Sequence, residues 1–152
     1  MDFPFLTVIT FIPIVAAVII LALPDNASAE PVQSLEAGRR RGLTFKVIAA
    51  VATFISLALS LYVYFAVLGA VNGGSDALFY FEDGRWTWVA SLGIGYHMGV
   101  DGVSAPMILL TGLASFTGVL ISWGISDRPR EFFAFFLLLV AGVYGVFVSL
   151  DV

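Results

Sequence analysis

The sequence predicts an all-α membrane protein with four transmembrane helices. Of its 152 residues, 60% are hydrophobic and only 12% are charged, whereas a soluble domain usually carries about 25% charged residues. The mean hydropathy is +1.01. Four long apolar stretches each reach the roughly 20 residues that a helix needs to cross a bilayer. Because the bilayer interior contains no water, the backbone must satisfy its own hydrogen bonds there, and a helix does so.

The predicted helices cover residues 3–23, 43–71, 104–123 and 132–150 of a single membrane segment, 1–152. Three of them contain no charged residue, and the second contains only Lys46, near its start. This second stretch is longer than a bilayer requires, so we expect it to tilt or to project past the membrane surface. A cleaved signal peptide is the alternative for the first stretch, but Asp2 stands where a positive charge is expected.

The three connectors differ in charge. Residues 24–42 end in three consecutive arginines, and residues 124–131 contain Arg128 and Arg130, whereas residues 72–103 have Arg85 as their only basic residue. Lys and Arg favour the cytoplasmic side of a membrane. We therefore expect a multi-pass protein of a bacterial plasma membrane or inner membrane, with the N-terminus and the middle connector outside.

The outer connector predicts a short β-hairpin. Its residues 78–98 alternate in part between aromatic and polar side chains. Asp83-Gly84 is a strong signal for a hairpin turn. We expect Trp86 and Trp88 to lie at the level of the lipid headgroups, where tryptophan anchors membrane proteins.

Several classes of functional site are disfavoured. The chain has no cysteine and one histidine, so disulfides and Cys-ligated metals are excluded and a His-rich metal or haem site is not expected. We find no phosphate-binding loop, no paired carboxylates and no nucleophile with a base. The net charge is −4, and the basic residues form two short clusters, which indicates no nucleic-acid partner. We expect no catalytic residue, metal or cofactor within this chain.

Candidate functional residues cluster at the start of the third helix. Asp101 or Ser104 is expected to cap this helix, because their side-chain oxygens can accept hydrogen bonds from its free N–H groups. The alternative is a proton exit at Asp101, with His97 as its partner in a relay. Asp151 ends the fourth helix, where the dipole disfavours a carboxylate unless another helix begins there.

Small residues on the second and third helices predict close helix packing. Ser56 and Ser60 lie one turn apart on the second helix, and Gly112 and Gly118 lie on the third. Small residues let transmembrane helices approach closely. In addition, the predicted helix interiors contain no acid and no histidine, and such residues usually mark an ion pathway. These four helices alone therefore indicate a structural scaffold and no ion pathway of their own.

The text "YHMGVDGVSAPMILLTGLASFTGVLISW" followed by "REFFAFFLLLVAGVYGVFVSLDV" resembles the antiporter-like, proton-translocating membrane subunits of respiratory complex I. The family pattern is His-x-x-(Val/Ile)-Asp-Gly-(Leu/Ile/Val)-Ser, matched here from His97 to Ser104, with Ser122-Trp123 at the helix end. The fourth helix resembles chain M of bacterial NADH:quinone oxidoreductase, with Gly-Val-Phe at 145–147 and Asp151. The resemblance is strong over residues 95–152 and rests on hydropathy and loop positions before that.

The resemblance implies that the chain is the N-terminal part of a fourteen-helix subunit with both termini outside. The complete subunit would take part in proton translocation coupled to NADH:quinone oxidoreduction. It would hold no redox cofactor, have other membrane subunits of the complex as partners, and meet quinone only indirectly. The family's pumping glutamate and lysines lie on later helices, so no pumping residue is carried over to this chain.

Two alternatives stay open. The first is that the chain is part of an Mrp-type sodium/proton antiporter, because these proteins share the "VDGVS" element at 100–104. The lack of ionisable residues within the helices instead favours a self-contained four-helix membrane scaffold.

Overall fold

The computed structural model describes residues 4–23, 34–74, 81–89 and 94–149. Four helices in this part of the chain are long and apolar enough to cross a membrane, which confirms the predicted fold class. The elements in chain order are α1 (Phe5–Ala22), α2 (Ser34–Asn72), β1 (Phe81–Val89), β2 (Ile94–Val100), α3 (Ser104–Ile121), a single 3-10 turn (Ser122–Gly124) and α4 (Pro129–Val148).

Helix α2 begins earlier than the sequence predicts. It starts at Ser34, inside the predicted first connector, and runs for 39 residues. The part that is apolar enough to cross a membrane is Gly42–Asn72. The preceding turns contain glutamate, alanine and arginine, all good helix formers. The helix therefore continues past the end of the apolar segment.

Helix α4 begins at Pro129, three residues before the predicted start. Proline suits the first turn because its missing N–H would have no partner within the helix there. Arg128, which precedes it, has a left-handed backbone conformation with φ of 45°. This residue redirects the chain between the 3-10 turn that ends α3 and the start of α4.

The four helices pack as a bundle. Helix α4 contacts α1, α2 and α3, and α2 contacts α1 and α3 as well. Each helix buries one stripe, as α3 does with residues at spacings of three and four: Ala105, Ile108, Gly112, Ser115 and Val119. Such spacing keeps side chains on one face of a helix. Large apolar side chains such as Phe65 and Leu139 remain exposed on the outer faces, as expected for helices surrounded by lipid.

The interior of the bundle has two clusters. We call the first the hairpin-side core: Leu6, Ile9, Val63, Val67, Met98, Val100, Ala105, Ile108, Val140, Tyr144 and Val148. We call the second the far-side core: Ala16, Ala17, Ile20, Phe45, Ala49, Ala52, Val119, Phe133, Ala134 and Leu137. Phe136 packs against both. The hairpin-side core contains residues of β2, so the strand closes one end of the bundle.

The connector between α2 and α3 contains the predicted hairpin, but the predicted turn position is wrong. Strands β1 and β2 are antiparallel, and Asp83 pairs with Met98 inside the ladder. The register shifts between Asp83 and Trp86, so Gly84 and Arg85 together oppose His97 as in a β-bulge. Glycine suits a bulge as well as a turn, which explains the error. Strand β1 continues past Asp83 and Gly84 to Val89, and β2 begins at Ile94. The side chains of Trp86 and Trp88 lie outside the described part, so their place at the headgroups stays a prediction.

Candidate functional site

Asp101 lies between the end of β2 and the start of α3. Its carboxylate Oδ1 accepts hydrogen bonds from the backbone N–H of Val103 at 3.1 Å and of Ser104 at 2.5 Å. Its own carbonyl accepts the N–H of Ala105 at 3.2 Å. These are N–H groups at the start of a helix, which have no acceptor within the helix itself. The geometry of Asp101 is that of a residue that caps α3.

The electrostatics of Asp101 agree with this geometry. Hydrogen bonds from Ser104, first from its backbone N–H and then from its hydroxyl, hold the pKa of the Asp101 carboxyl below its ordinary value of 3.8. Partial burial acts in the opposite direction, and the N–H of Val103 lowers the pKa further. Because these bonds favour the charged form, the carboxyl stays ionised near neutral pH. Such a group is a good acceptor for N–H groups and a weak proton acceptor.

The structure describes the other predicted site residues to different extents. Ser104 is the first residue of α3 and is half-buried beside Asp101. His97 belongs to β2 by its backbone, but its side chain is outside the described part. Asp151 lies beyond residue 149, outside the described residues. A relay between His97 and Asp101, and a role for Asp151, therefore stay predictions.

A group of buried hydroxyls joins three helices inside the bundle. Ser60 on α2 and Tyr144 on α4 are both fully buried, and their hydroxyl oxygens are 3.2 Å apart. Ser115 on α3 is buried close to them. Ser60 also donates its hydroxyl to the carbonyl of Ser56 at 2.7 Å. We call Ser56, Ser60, Ser115 and Tyr144 the hydroxyl cluster.

The hydrogen bonds in this cluster have a direction. A serine hydroxyl has one proton, and that of Ser60 is directed at the carbonyl of Ser56. Ser60 therefore accepts from Tyr144, whose hydroxyl is the donor between α4 and α2. The hydroxyl of Ser115 is satisfied locally by the carbonyl of Gly112 at 2.9 Å. The cluster thus contains a hydrogen bond between the side chains of Tyr144 on α4 and Ser60 on α2.

Gly112 makes this approach between helices feasible. A Cβ atom at this position would lie 2.9 Å from the Tyr144 hydroxyl and 3.2 Å from the Leu57 Cα. The second neighbour is backbone, which cannot move aside. Gly112 therefore sets the distance between α2 and α3, as predicted for the small residues of these helices.

Sequence reasoning found Ser56, Ser60 and Gly112 but missed Tyr144. The missed signal is periodicity. Tyr144 continues the buried stripe of α4 formed by Leu137, Val140, Ala141 and Val148. A tyrosine on the buried stripe of a membrane helix needs a hydrogen-bond partner, and the serines of α2 are suitable partners.

The end of the bundle opposite the hairpin holds basic residues. The guanidinium of Arg130 donates to the carbonyl of Leu21, at the last turn of α1. A cation is favourable at a helix C-terminus, where carbonyl groups lack partners. Arg128 and Glu131 form an exposed ion pair at 3.7 Å, which is worth little in energy. Among the residues that the structure describes, no group of three His, Asp or Glu could hold a metal ion.

Comparison with known proteins finds relatives that are similar over nearly the whole chain. No family model matches the chain. It is 30% identical over 150 residues to NAD(P)H-quinone oxidoreductase chain 4 3 of Picosynechococcus sp., with 99% of this chain and 24% of the relative covered. It is 31% identical to NAD(P)H-quinone oxidoreductase chain 4 2 of Thermosynechococcus vestitus, with 99% and 25% covered. The chain 4 protein of Acaryochloris marina is 28% identical, with 98% and 25% covered.

These similarities extend over nearly all of the 152 residues. They include α1, α2 and β1, for which the sequence resemblance rested on hydropathy and loop positions. The chain spans about a quarter of the length of the curated relatives that it matches. Over that length it is about 30% identical to NAD(P)H-quinone oxidoreductase chain 4 proteins.

Proposed function

We propose that this chain is the N-terminal part of a chain 4 membrane subunit of an NAD(P)H-quinone oxidoreductase, and that the complete subunit takes part in proton translocation. The observation that carries this proposal is the similarity to chain 4 proteins over 99% of the chain. Four helices that can cross a membrane support it, because they suit a subunit of a membrane-bound complex.

Within that subunit, we assign these helices a positioning role. Among the described residues, the membrane-spanning helices carry acidic and basic side chains near their ends only: Lys46 on α2, and Arg130 and Glu131 in the first turn of α4. Proton pathways through membranes usually need ionisable groups inside the helices. The proton-transferring groups would therefore belong to other parts of the subunit, while Asp101 and the hydroxyl cluster hold these helices in place.

The proposed topology places the hairpin outside the cytoplasm. Support comes from the arginines at 39–41 and from Arg128 and Arg130, all at the other end of the bundle from the hairpin, because basic residues favour the cytoplasmic side. The N-terminus would then also lie outside, in a bacterial plasma membrane or inner membrane. The partners would be the other membrane subunits, with no redox cofactor in this subunit and no direct contact with quinone.

The proposal is tested by deleting the gene and measuring two activities in inverted membrane vesicles. We expect NAD(P)H-driven proton uptake to be lost and to return when the tagged gene is supplied again. The tagged protein should also co-purify with the quinone-reducing complex. Loss of sodium/proton antiport with unchanged NAD(P)H-driven uptake would instead favour the Mrp-type antiporter. If NAD(P)H-driven proton uptake and sodium/proton antiport both stayed normal after the deletion, the remaining interpretation would be a self-contained four-helix membrane scaffold.

A further inference from the structure

A groove runs between α1 and α2 on the outer surface of the bundle. It has a volume of about 510 Å³, and every residue that lines it is apolar. Val15 and Val51, on its two sides, are 54% and 52% exposed, so the described part of the chain leaves the groove uncovered. The lining residues include Val8, Val15 and Ile19 of α1 and Val47, Val51 and Ile55 of α2.

Two aromatic rings close the groove at its hairpin-side end. The rings of Phe5 on α1 and Tyr62 on α2 are in contact, with their centroids 5.0 Å apart. Phe5 precedes Val8 by three residues, and Tyr62 follows Ile55 by seven. Such spacings keep residues on one face of a helix, so both rings lie in line with the groove. A long apolar ligand in the groove would therefore have its polar group at the opposite end.

The shape of the groove favours a flexible chain over another helix. Its only small lining residues are Ala16 and Ala52, and both are buried at its floor. The rims consist of larger side chains, whereas contacts between transmembrane helices favour small residues that let the backbones approach.

The length of the groove matches one leaflet of a bilayer. Val47 and Ile55 are eight residues apart, which corresponds to about 12 Å along a helix. Half of a hydrocarbon core of about 30 Å is about 15 Å. A lipid acyl chain of one leaflet can therefore lie along the groove.

Basic residues lie at the open end of the groove. Residues 39–41 are arginines that directly precede Gly42, where the part of α2 that can cross a membrane begins. They therefore lie at the level of the lipid headgroups. Arg40 precedes Val47 by seven residues, which places its position on the groove face of α2. Residues 34–46 contain four basic residues and one acidic residue, so this end has a net positive charge.

We infer that this groove binds an anionic phospholipid, with one acyl chain between α1 and α2 and the phosphate group at Arg40 and Arg41. A groove that is apolar along its length and basic at one end complements a molecule with an apolar chain and a negatively charged head. Basic residues next to a membrane helix attract anionic headgroups, and guanidinium groups bind phosphate through paired hydrogen bonds.

Photo-labelling of the full-length protein in lipid vesicles tests this inference. The vesicles consist of phosphatidylcholine with a small fraction of phosphatidylglycerol that carries a diazirine on one acyl chain. After irradiation, mass spectrometry quantifies the label on each residue of α1 and α2. We expect label on the groove residues, and we expect unlabelled phosphatidylglycerol to compete for these positions while added phosphatidylcholine does not.

Two results would overturn the inference. Equal competition by the two lipids would mean that the groove accepts lipid without regard to charge. Label on exposed residues outside the groove, such as Phe65 of α2, together with none on the groove residues would mean that protein covers the groove.

Removal of the positive charges provides a second measurement. The double substitution Arg40→Gln and Arg41→Gln should lower the competed labelling of the groove by about tenfold or more, since each basic residue near the surface attracts anionic lipid. Arg128→Gln is the control, because the side chain of Arg128 is 78% exposed and lies at the start of α4, outside the groove. Equal effects of the two changes would contradict the inference.

Obstruction of the groove provides a third measurement. Val15→Trp places a large side chain in the groove, and Val18→Trp is the matched control, because Val18 is 57% exposed on the same helix and does not line the groove. Both positions are exposed, so both variants should fold. The competed labelling should be lost in Val15→Trp and stay close to wild type in Val18→Trp. Retention of the labelling in Val15→Trp would contradict an acyl chain in the groove.

Discussion

The two cores of the bundle are built from the same four helices in different ways. The hairpin-side core contains Met98 and Val100 of β2, and the buried Tyr144, whose hydroxyl bonds to Ser60. The far-side core contains no strand residue, and half of its members are alanines packed against phenylalanines such as Phe133. One half thus combines helix packing with a hydrogen bond between buried side chains and a strand cover. The other combines the packing of small side chains with the hydrogen bond from Arg130 of α4 to the Leu21 carbonyl of α1.

The difference shows how a membrane protein can hold its helices together. Lipid is as apolar as leucine, so burial of apolar side chains supplies little force between transmembrane helices. Close packing and hydrogen bonds between helices must supply it instead. The hairpin-side core uses both, with Gly112 allowing the backbones to approach and Tyr144 bonding across the gap. The far-side core uses small alanine side chains to bring the helices together.

The largest effect is expected from Gly112→Ala. The added methyl group would meet the Leu57 Cα at 3.2 Å, which is backbone, and the Tyr144 hydroxyl at 2.9 Å. We expect the free energy of unfolding to fall by about 1–3 kcal/mol, typical of an overpacked core. Unfolding of the purified protein in mixed micelles, followed by circular dichroism, measures this change.

Gly118→Ala is the matched variant towards the far side. Its new methyl group would meet the Phe136 Cζ at 2.9 Å, which is the end of a half-buried side chain and no part of the backbone. Because that ring can turn away, we expect a smaller loss of stability than for Gly112→Ala. An equal or larger loss would contradict this expectation and show that the surroundings of Gly118 are at least as tightly packed as those of Gly112.

The next effect concerns the cap on α3. Asp101→Ala removes the acceptor for the N–H groups of Val103 and Ser104 and should cost about 1 kcal/mol of stability. Asp101→Asn should be well tolerated, since asparagine caps nearly as well. Normal assembly of an Asp101→Asn full-length protein together with lost proton uptake would contradict a capping role alone and support the proton-exit alternative.

The same carboxyl predicts a dependence on pH. Its pKa is lowered in the folded protein from an ordinary value of 3.8, so Asp101 contributes stability above that value. This contribution is lost as pH falls through the lower pKa of the folded state. The wild type should lose more stability than Asp101→Asn between neutral pH and pH values below 3.8. Parallel losses in both proteins would show that the carboxyl makes no such contribution.

A smaller effect is expected from Tyr144→Phe. It removes the hydrogen bond to Ser60 and keeps the ring, and such bonds in membrane proteins are worth about 0.6 kcal/mol on average. Tyr62→Phe is the control, because Tyr62 is exposed on α2. Thermal unfolding of the three proteins compares them. No difference between Tyr144→Phe and the control would mean that this hydrogen bond adds no measurable stability to the hairpin-side core.

The smallest effect is expected from Ser56→Ala. The Ser56 hydroxyl is fully buried and has no hydrogen-bond partner among the described residues. A buried polar group without a partner costs free energy, so its removal should leave stability unchanged or raise it slightly. A clear loss of stability in the same unfolding assay would reveal that the hydroxyl has a partner, such as an ordered water molecule.

The sequence by itself determined the number and type of the membrane elements. Uncharged apolar stretches of about 20 residues admit only helices in a bilayer, and the spacing of Asp101 before Ser104 indicated a cap. It also indicated a hairpin before α3. The predictions from sequence were wrong where one sequence signal suits two structures. Asp83-Gly84 suits both a hairpin turn and a β-bulge, and the polar helix formers after Ser34 suit both a connector and an extended helix.

Only the tertiary structure decided which helices approach each other and what lies between them. Tyr144 looks like any aromatic residue of a membrane helix until α4 is placed against Ser60 of α2. Gly112 and Gly142 are alike in sequence, yet a Cβ would collide with neighbours at the first and with none at the second. The reason is physical: hydropathy places a residue in the bilayer, but it cannot distinguish lipid from another helix, because both are apolar.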